Sequence, residues 1–112
     1  MHKQGDIVLV PLPFTNLVSM KKRPVLVLSR NEYNNVADDL IVVAITSNSD
    51  EKLYTVPLKN ENMADGTLKL DSYIRADKIY TLSQNLVVKR FGKVKKEIIE
   101  AVKINVLNAM GG

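Results

Sequence analysis

Residues 20–31 read MKKRPVLVLSRN, a stretch in which basic side chains run directly into a solid apolar segment. Its branched residues favour extended backbone. The most hydrophobic segment of the chain, LIVVAITS, follows at residues 40–47. Both segments are continuous apolar runs rather than alternations of apolar and polar residues. We therefore predict two strands that are covered on both faces, as core strands are.

Weaker strand patterns lie on either side of this pair. Residues 7–10 form another continuous apolar run, which opens at a Gly-Asp turn and closes at two prolines. The remaining predicted strands are residues 53–58, with Pro57 at an edge or a strand end, residues 68–83, and residues 86–94, ending at Gly92. The expected connections are residues 14–22, 31–39, 48–52 and 60–67, the last with a turn signal at Asp65-Gly66.

The C-terminal segment changes period. Its apolar residues recur at spacings of three and four, which is typical of an amphipathic helix that Gly111 can end: Ile98, Ile99, Val102, Val106, Ala109 and Met110. We expect its apolar stripe to pack on the sheet of the same subunit. Five or six short strands followed by one helix predict a single mainly β domain over residues 1–112, built as a small, strongly curved sheet or barrel.

Composition narrows the function. Sixteen basic and twelve acidic residues give a net charge of +4, which weakly favours polyanions such as RNA or DNA, or acidic protein partners. The chain has no cysteine, which excludes disulfides, thiolate catalysis and thiolate zinc sites. It has no Gly-rich phosphate loop and no paired-histidine motif, so we expect no cofactor and no metal. The single histidine, His2, lies near the N-terminus and is interpreted as a bystander.

The chain offers no membrane or secretion signal. Its longest apolar run, LIVVAI, is far too short to cross a bilayer. The N-terminus MHKQGD lacks the apolar region of a secretory signal. The default expectation is a cytoplasmic protein with no membrane partner.

Two basic or hydroxylic groups could bind an anion. Arg23 follows Lys21 and Lys22 and precedes Pro24, so it is either part of a solvated loop or an anion clamp. Arginine suits phosphate because its planar donors bind two oxygens at once. Thr46 and Ser47 stand where the third strand leaves the core. Their hydroxyls either bond to local backbone or donate to a phosphate.

A third group, Tyr73, Arg75 and Asp77, shares one face of the predicted strand at residues 68–83, because strand side chains repeat every two residues. Ile74 and Ala76 point the other way. Arg75 and Asp77 are either an exposed ion pair of little energetic value or an acid–base or phosphate-binding pair. Tyr73 on the same face could stack on a base.

In this order, GDIVLV, KRPVLVLS, IVVAITS and IRADKIYTL resemble the MazF/PemK family of toxins from bacterial toxin–antitoxin systems, over nearly the whole chain. The resemblance implies an SH3-like barrel with a C-terminal helix, a fold shared with the gyrase poisons. It also implies a homodimer that cuts single-stranded RNA at short sequences without a metal. A cognate antitoxin would cover the RNA surface, laid over the basic groove.

The resemblance also implies site residues. The family's Arg-Pro falls on Arg23-Pro24, its threonine after the third strand falls on Thr46 beside Ser47, and the Arg-x-Asp pair of some members falls on Arg75 and Asp77. In RNA cleavage the 2′-hydroxyl attacks the adjacent phosphate, which leaves a 2′,3′-cyclic phosphate and a 5′-hydroxyl. Arg23 would stabilise the developing charge and Thr46 would hydrogen-bond a phosphate oxygen.

Three assignments stay open at this stage. Asp77 is either the base or the residue that orients Arg75. Some relatives carry a histidine in the first loop, which has none here, and Asn16 or Ser19 could supply a polar contact instead. The alternative functions are a toxin of the same fold that binds gyrase and cuts nothing, and a non-catalytic SH3-like barrel that binds RNA or an acidic peptide.

Overall fold

The structure, a computed structural model, describes residues 2–13, 20–48 and 53–111, which contain seven strands, two α-helices and two short 3-10 helices, Asn60–Asn62 and Gln84–Leu86. The strands are β1 (Asp6–Pro13), β2 (Met20–Val27), β3 (Asp39–Thr46), β4 (Thr55–Leu58), β5 (Met63–Gly66), β6 (Ser72–Ser83) and β7 (Lys89–Val94). The helices are α1 (Asn31–Val36) and α2 (Lys96–Met110). Residues 14–19 of the expected first loop and residues 49–52 of the expected turn lie outside the described residues.

All the described strands join one antiparallel sheet in the order β4-β6-β3-β2-β1-β7-β5. The mainly β architecture with a C-terminal helix is as predicted. Among the described residues no ladder joins the edge strands β4 and β5, so the sheet stays open instead of closing into a full barrel. Pro57 lies on edge strand β4, as predicted, where a missing N–H is tolerated.

Apolar clusters on both faces of the central strands confirm that these strands are covered twice. On the α2 side the cluster includes Leu26, Val43 and Ile45; on the opposite side it includes Val25, Val27, Leu40 and Val42. Successive strand side chains point to opposite faces, so a strand buried on both sides needs an apolar residue at every position. This requirement explains the continuous apolar runs in the sequence.

Two strands end later in the sequence than predicted. β1 runs on through Pro11 and Pro13, because β7 pairs only with Asp6–Leu9 and leaves the far end of β1 with β2 as its partner. β7 continues through Gly92 to Val94, where the sequence predicts an end at Gly92. A Cβ at Gly92 would collide with the backbone oxygen of Asp65, so the glycine permits the close approach of β5 rather than ending the strand.

The expected connections at residues 31–39 and 60–67 contain regular structure that the sequence reading missed. α1 has no apolar stripe, and its Val36 is exposed. Hydrogen bonds hold this helix instead: Asn34 Nδ2 donates to the Ser29 carbonyl at 3.0 Å in a buried bond, and Gln84 Nε2 donates to the Asn34 carbonyl at 2.9 Å in a partly buried one. The second connection contains β5, an edge strand in which Met63 alone is buried.

α2 confirms the predicted helix and its termination. Ile98, Ile99 and Val102 are buried against the sheet, and Gly111 adopts a left-handed conformation (φ 81°) just past the last turn. Met110, expected in the apolar stripe, is exposed instead. Neither helix of the described segments combines the length and the apolar character that a membrane-spanning helix needs.

Arg90 connects three parts of the fold through charged hydrogen bonds. Its Nε donates to Asp6 Oδ1 on β1 at 3.1 Å, and its Nη2 donates to Asp65 Oδ2 on β5 at 2.8 Å. Asp6 is buried and also accepts a hydrogen bond from the backbone N–H of Lys3. Loss of Arg90 would leave the Asp6 carboxylate buried without its cation, which is costly.

We expect Arg90→Gln to lower the free energy of unfolding by about 2 kcal/mol, because it removes two hydrogen bonds between charged groups, one of them to a buried carboxylate. Urea denaturation monitored by circular dichroism measures the change. Arg30→Gln is the matched control, because the Arg30–Glu32 pair is exposed to solvent and contributes little to stability. Equal effects of the two substitutions would contradict the structural role of Arg90.

Candidate functional site

Register brings Arg23 and Thr46 to the same place on neighbouring strands. Val25 of β2 pairs with Ala44 of β3. Arg23 precedes Val25 by two residues and Thr46 follows Ala44 by two residues, so both lie on the face of that pair and toward the same end of the two antiparallel strands. Arg23 itself pairs with Val10 of β1, and Thr46 pairs with Tyr73 of β6. The predicted arginine, threonine and tyrosine therefore share one row across the sheet.

An irregularity in β6 places Arg75 and Asp77. Val43 pairs with Ile79, whereas the next residue, Ala44, pairs with Arg75. The three residues between Arg75 and Ile79 therefore have no paired residue on β3. Such bulges redirect side chains. Arg75 and Asp77 form a two-point ion pair, with Nε to Oδ1 at 3.0 Å and Nη2 to Oδ2 at 2.9 Å. Ile74 and Ala76, predicted to point the other way, are fully buried.

A cavity of about 410 Å³ opens beside this row. Its lining combines three cationic side chains with four hydroxyls and an apolar floor: Ile7, Arg23, Pro24, Ile45, Thr46, Ser47, Thr67, Leu68, Lys69, Leu70, Ser72, Lys89 and Phe91. None of these described lining residues is acidic. A concave site with several cations and no carboxylate favours an anionic ligand.

The hydroxyl of Thr46 is oriented by the backbone. Its Oγ1 accepts a hydrogen bond from the Asn48 N–H at 3.1 Å. Local bonding of this kind is common where a strand ends, and here it still leaves the hydroxyl hydrogen available. Thr46 can therefore donate a hydrogen bond into the cavity while its oxygen is held in place.

The other predicted residues are distributed around the cavity. Lys21 and Lys22, expected in a loop, belong to β2, where alternation puts Lys21 on the face of Arg23 and Lys22 on the opposite face. Both lysines are exposed and neither lines the cavity. Ser47 does line it. Tyr73 lies beside it in the sheet, paired with Thr46.

Some candidates cannot be placed. Asn16 and Ser19 of the first loop lie outside the described residues. Within the described segments no cluster of three or more histidine or carboxylate side chains is arranged to hold a metal ion.

The structure adds residues that the sequence reading did not single out. Lys69, Thr67 and Ser72 come from the segment that joins β5 to β6, and from the start of β6. Lys89 and Phe91 come from β7, and the Lys89 ammonium lies 5.1 Å from the centre of the Phe91 ring. The sequence signal was a basic run near residue 90, which does not identify the lysine that faces a cavity.

Hydrogen bonds from Arg75 hold the pKa of Asp77 below its ordinary value, although partial burial of the carboxyl opposes this shift. Asp77 is therefore ionised at neutral pH, and both of its oxygens accept from Arg75. Because its pKa is lowered in the folded state, the pair stabilises the fold above the unfolded pKa of the carboxyl. This stabilisation is lost as the pH falls through the lowered pKa.

We expect Asp77→Asn to destabilise the protein at pH 7. We expect the difference from wild type to shrink as the pH falls through the lowered pKa of Asp77, where the wild-type carboxyl becomes protonated as well. Urea midpoints measured across this range test it. Asp71→Asn is the control, since Asp71 is exposed and makes no ion pair with another described residue. A pH-independent difference for Asp77→Asn would contradict the ion pair.

Solved structures with the same fold include three toxins. The chain is similar to an endoribonuclease in complex with its cognate antitoxin from a mycobacterial species (TM-score 0.80, 20% identity, 99% of this chain and 96% of that chain). It is also similar to a MazF toxin of Mycobacterium tuberculosis (TM-score 0.76, 22% identity, 95% of this chain and 96% of that chain). A MazE–MazF structure from Deinococcus radiodurans matches with a TM-score of 0.78 and 18% identity, over 98% of this chain and 96% of that chain. The TM-scores establish a shared fold.

A search of curated proteins finds no significant match. The family comparison does: residues 3–110 match the model for the PemK-like, MazF-like toxins of type II toxin–antitoxin systems. This match spans β1 to the last turn of α2 and includes every residue of the row and of the cavity. The chain therefore belongs to the PemK/MazF toxin family.

Proposed function

We propose that this protein is an endoribonuclease toxin that cuts single-stranded RNA without a metal. The observation that carries the proposal is the cavity itself, in which Arg23 and Thr46 lie with two lysines and no acidic side chain among the described lining residues. RNA phosphodiesters supply the matching anion. Family membership and the fold shared with named endoribonucleases support the same reaction.

The reaction proposed is attack of a 2′-hydroxyl on its own phosphate. The 2′-oxygen bonds to phosphorus, the bond from phosphorus to the 5′-oxygen breaks, the 2′-proton leaves to solvent, and the 5′-oxygen takes up a proton. The products are a 2′,3′-cyclic phosphate and a 5′-hydroxyl. Negative charge gathers on the phosphate oxygens in the transition state, so donors held in place before the reaction can supply most of the acceleration.

Each side chain has a role in this scheme. The Arg23 guanidinium binds two phosphate oxygens and stabilises their added charge. Thr46 donates its hydroxyl hydrogen to a phosphate oxygen while the Asn48 N–H holds its Oγ1. Arg75 donates hydrogen bonds on the same face. Asp77 acts as a positioning residue, because both of its oxygens already bind Arg75 and its lowered pKa makes it a weak proton acceptor.

We propose that the chain is a single toxin domain that works as a homodimer on messenger RNA in the cytoplasm, and that a cognate antitoxin covers its cationic face. Solved relatives with their antitoxins support a partner of this kind. The alternatives are a toxin that binds gyrase and a barrel that binds RNA without cutting it. Both predict no RNA cleavage in the experiment that follows.

We expect the purified wild-type protein to cut a varied single-stranded RNA pool in excess EDTA and to leave 5′-hydroxyl ends. Arg23→Gln should lower kcat/KM about a hundredfold to a thousandfold, because it removes a charged donor from the transition state. Arg30→Gln makes the same charge change outside this cavity and should keep wild-type activity. Binding of RNA by the folded wild type without any cutting would favour the non-catalytic alternative.

Thr46 allows a second, finer comparison. Thr46→Val keeps the shape of the side chain but removes the hydroxyl, and should lower kcat/KM about tenfold to a hundredfold, the value of one hydrogen bond to a charged group. Thr46→Ser keeps the donor and should retain most of the activity. Single-turnover cleavage rates provide the measurement, and an equal loss in both variants would assign Thr46 a packing role only.

A further inference from the structure

The cavity has a second cationic side, opposite Arg23 and Thr46. Lys89 of β7 forms this side, Lys69 also lines the cavity, and both lysines are exposed. None of the ion pairs among the described residues involves either lysine. The assigned roles of Arg23 and Thr46 at the scissile phosphate leave these two cations without a function.

Contacts fix the Lys89 side chain and the backbone that leads into Lys69. The Lys89 ammonium lies 5.1 Å from the centre of the half-buried Phe91 ring, a favourable contact between a cation and an aromatic face. Lys69 follows Leu68, whose backbone is fixed by the Asn60 side chain: Leu68 N–H donates to Asn60 Oδ1 at 2.6 Å, and Asn60 Nδ2 donates to the Leu68 carbonyl at 3.2 Å. Two separate elements therefore bring a cation to the same cavity.

The register sets the distance between the two sides. Leu9 of β1 pairs with Pro24 on one side and with Lys89 on the other. With about 4.8 Å between neighbouring strands, the backbones of Pro24 and Lys89 lie about 10 Å apart. Arg23 of β2 and Lys89 of β7 both line the cavity, from strands that are separated in the sheet by β1.

Between these sides the floor is apolar. Ile7, Pro24, Ile45 and Phe91 line it. A volume of about 410 Å³ is within the range of small-ligand sites. Two cationic rims across an apolar floor match the chemistry of a single-stranded nucleotide, which has a charged phosphate at each end and a flat base between them.

We propose that the cavity holds the nucleotide next to the scissile bond, with Lys89 and Lys69 on its second phosphate and its base over the apolar floor. This proposal rests on RNA being the ligand, as the proposed function states. It assigns the two lysines to substrate positioning rather than to the chemical step. A second phosphate contact fixes which bond of the strand lies against Arg23.

The test measures binding separately from cutting. The probe is a labelled pool of short 2′-O-methyl RNA strands of randomised sequence, which cannot be cut because the attacking hydroxyl is blocked. Fluorescence anisotropy gives the apparent Kd over a range of salt concentrations. Each phosphate contact contributes about 0.7 to the slope of log affinity against log salt for single strands. Because both lysines contact one phosphate, we expect Lys69→Gln with Lys89→Gln to lower that slope by about 0.7.

The matched control is Lys95→Gln with Lys96→Gln, which removes the same charge from two exposed lysines that do not line the cavity. The control should keep the wild-type slope. Phe91→Leu should weaken binding about threefold with the slope unchanged, because the lysine keeps its charge but loses the ring beneath it. Thermal unfolding verifies that each variant is folded.

The outcomes separate this proposal from the ribonuclease proposal. A reduced slope in the cavity variant alone supports the second phosphate contact, even if a natural RNA pool is never cut. A cavity variant that keeps the wild-type slope, or that changes it no more than the control does, overturns the contact even if RNA is cut. A wild-type protein with no salt-dependent binding overturns it as well.

Discussion

The antiparallel pairing of β2 with β3 is the constraint on which the candidate site depends. Its register is enforced from both faces, because Val25 and Leu26 belong to different apolar clusters. A slip of one residue would exchange the faces of every side chain on one strand and expel apolar residues from both clusters. The same slip would move Arg23 away from Thr46. The packing of the core therefore also fixes the alignment of the two residues to which we assign the phosphate.

The charges of this fold are few in excess, but acidic and basic side chains are separated in space around the cavity. The chain carries a net charge of only +4, yet the described lining of the cavity has no acid. Several carboxylates are instead engaged by arginines: Asp6 and Asp65 by Arg90, and Asp77 by Arg75. These pairs neutralise acidic groups within the fold and stabilise its strands. Among the described residues that line the cavity, the cationic side chains therefore stand beside hydroxyls and apolar groups, a surrounding that favours an anion.

Much of the fold could be predicted from the sequence because it depends on local patterns of apolar residues and on single prolines and glycines. The doubly covered strands, the edge position of Pro57 and the helix ended by Gly111 each follow from a periodicity or from a property of one residue. α1 and β5 were missed for a physical reason. α1 depends on hydrogen bonds of the buried Asn34 and of Gln84, which is distant in sequence, and β5 is an edge strand with a single buried residue, Met63.

By itself the sequence determined which residues must be buried, because continuous apolar runs have one stable environment, and it placed Arg23 and Thr46 at the ends of two such runs. Only the tertiary structure decided which distant residues share their cavity. Lys89 reaches it through the pairing of Leu9 with both β2 and β7, and Lys69 through a segment held by Asn60. Such neighbours are set by register and by side-chain contacts between distant residues, which leave no period in the sequence.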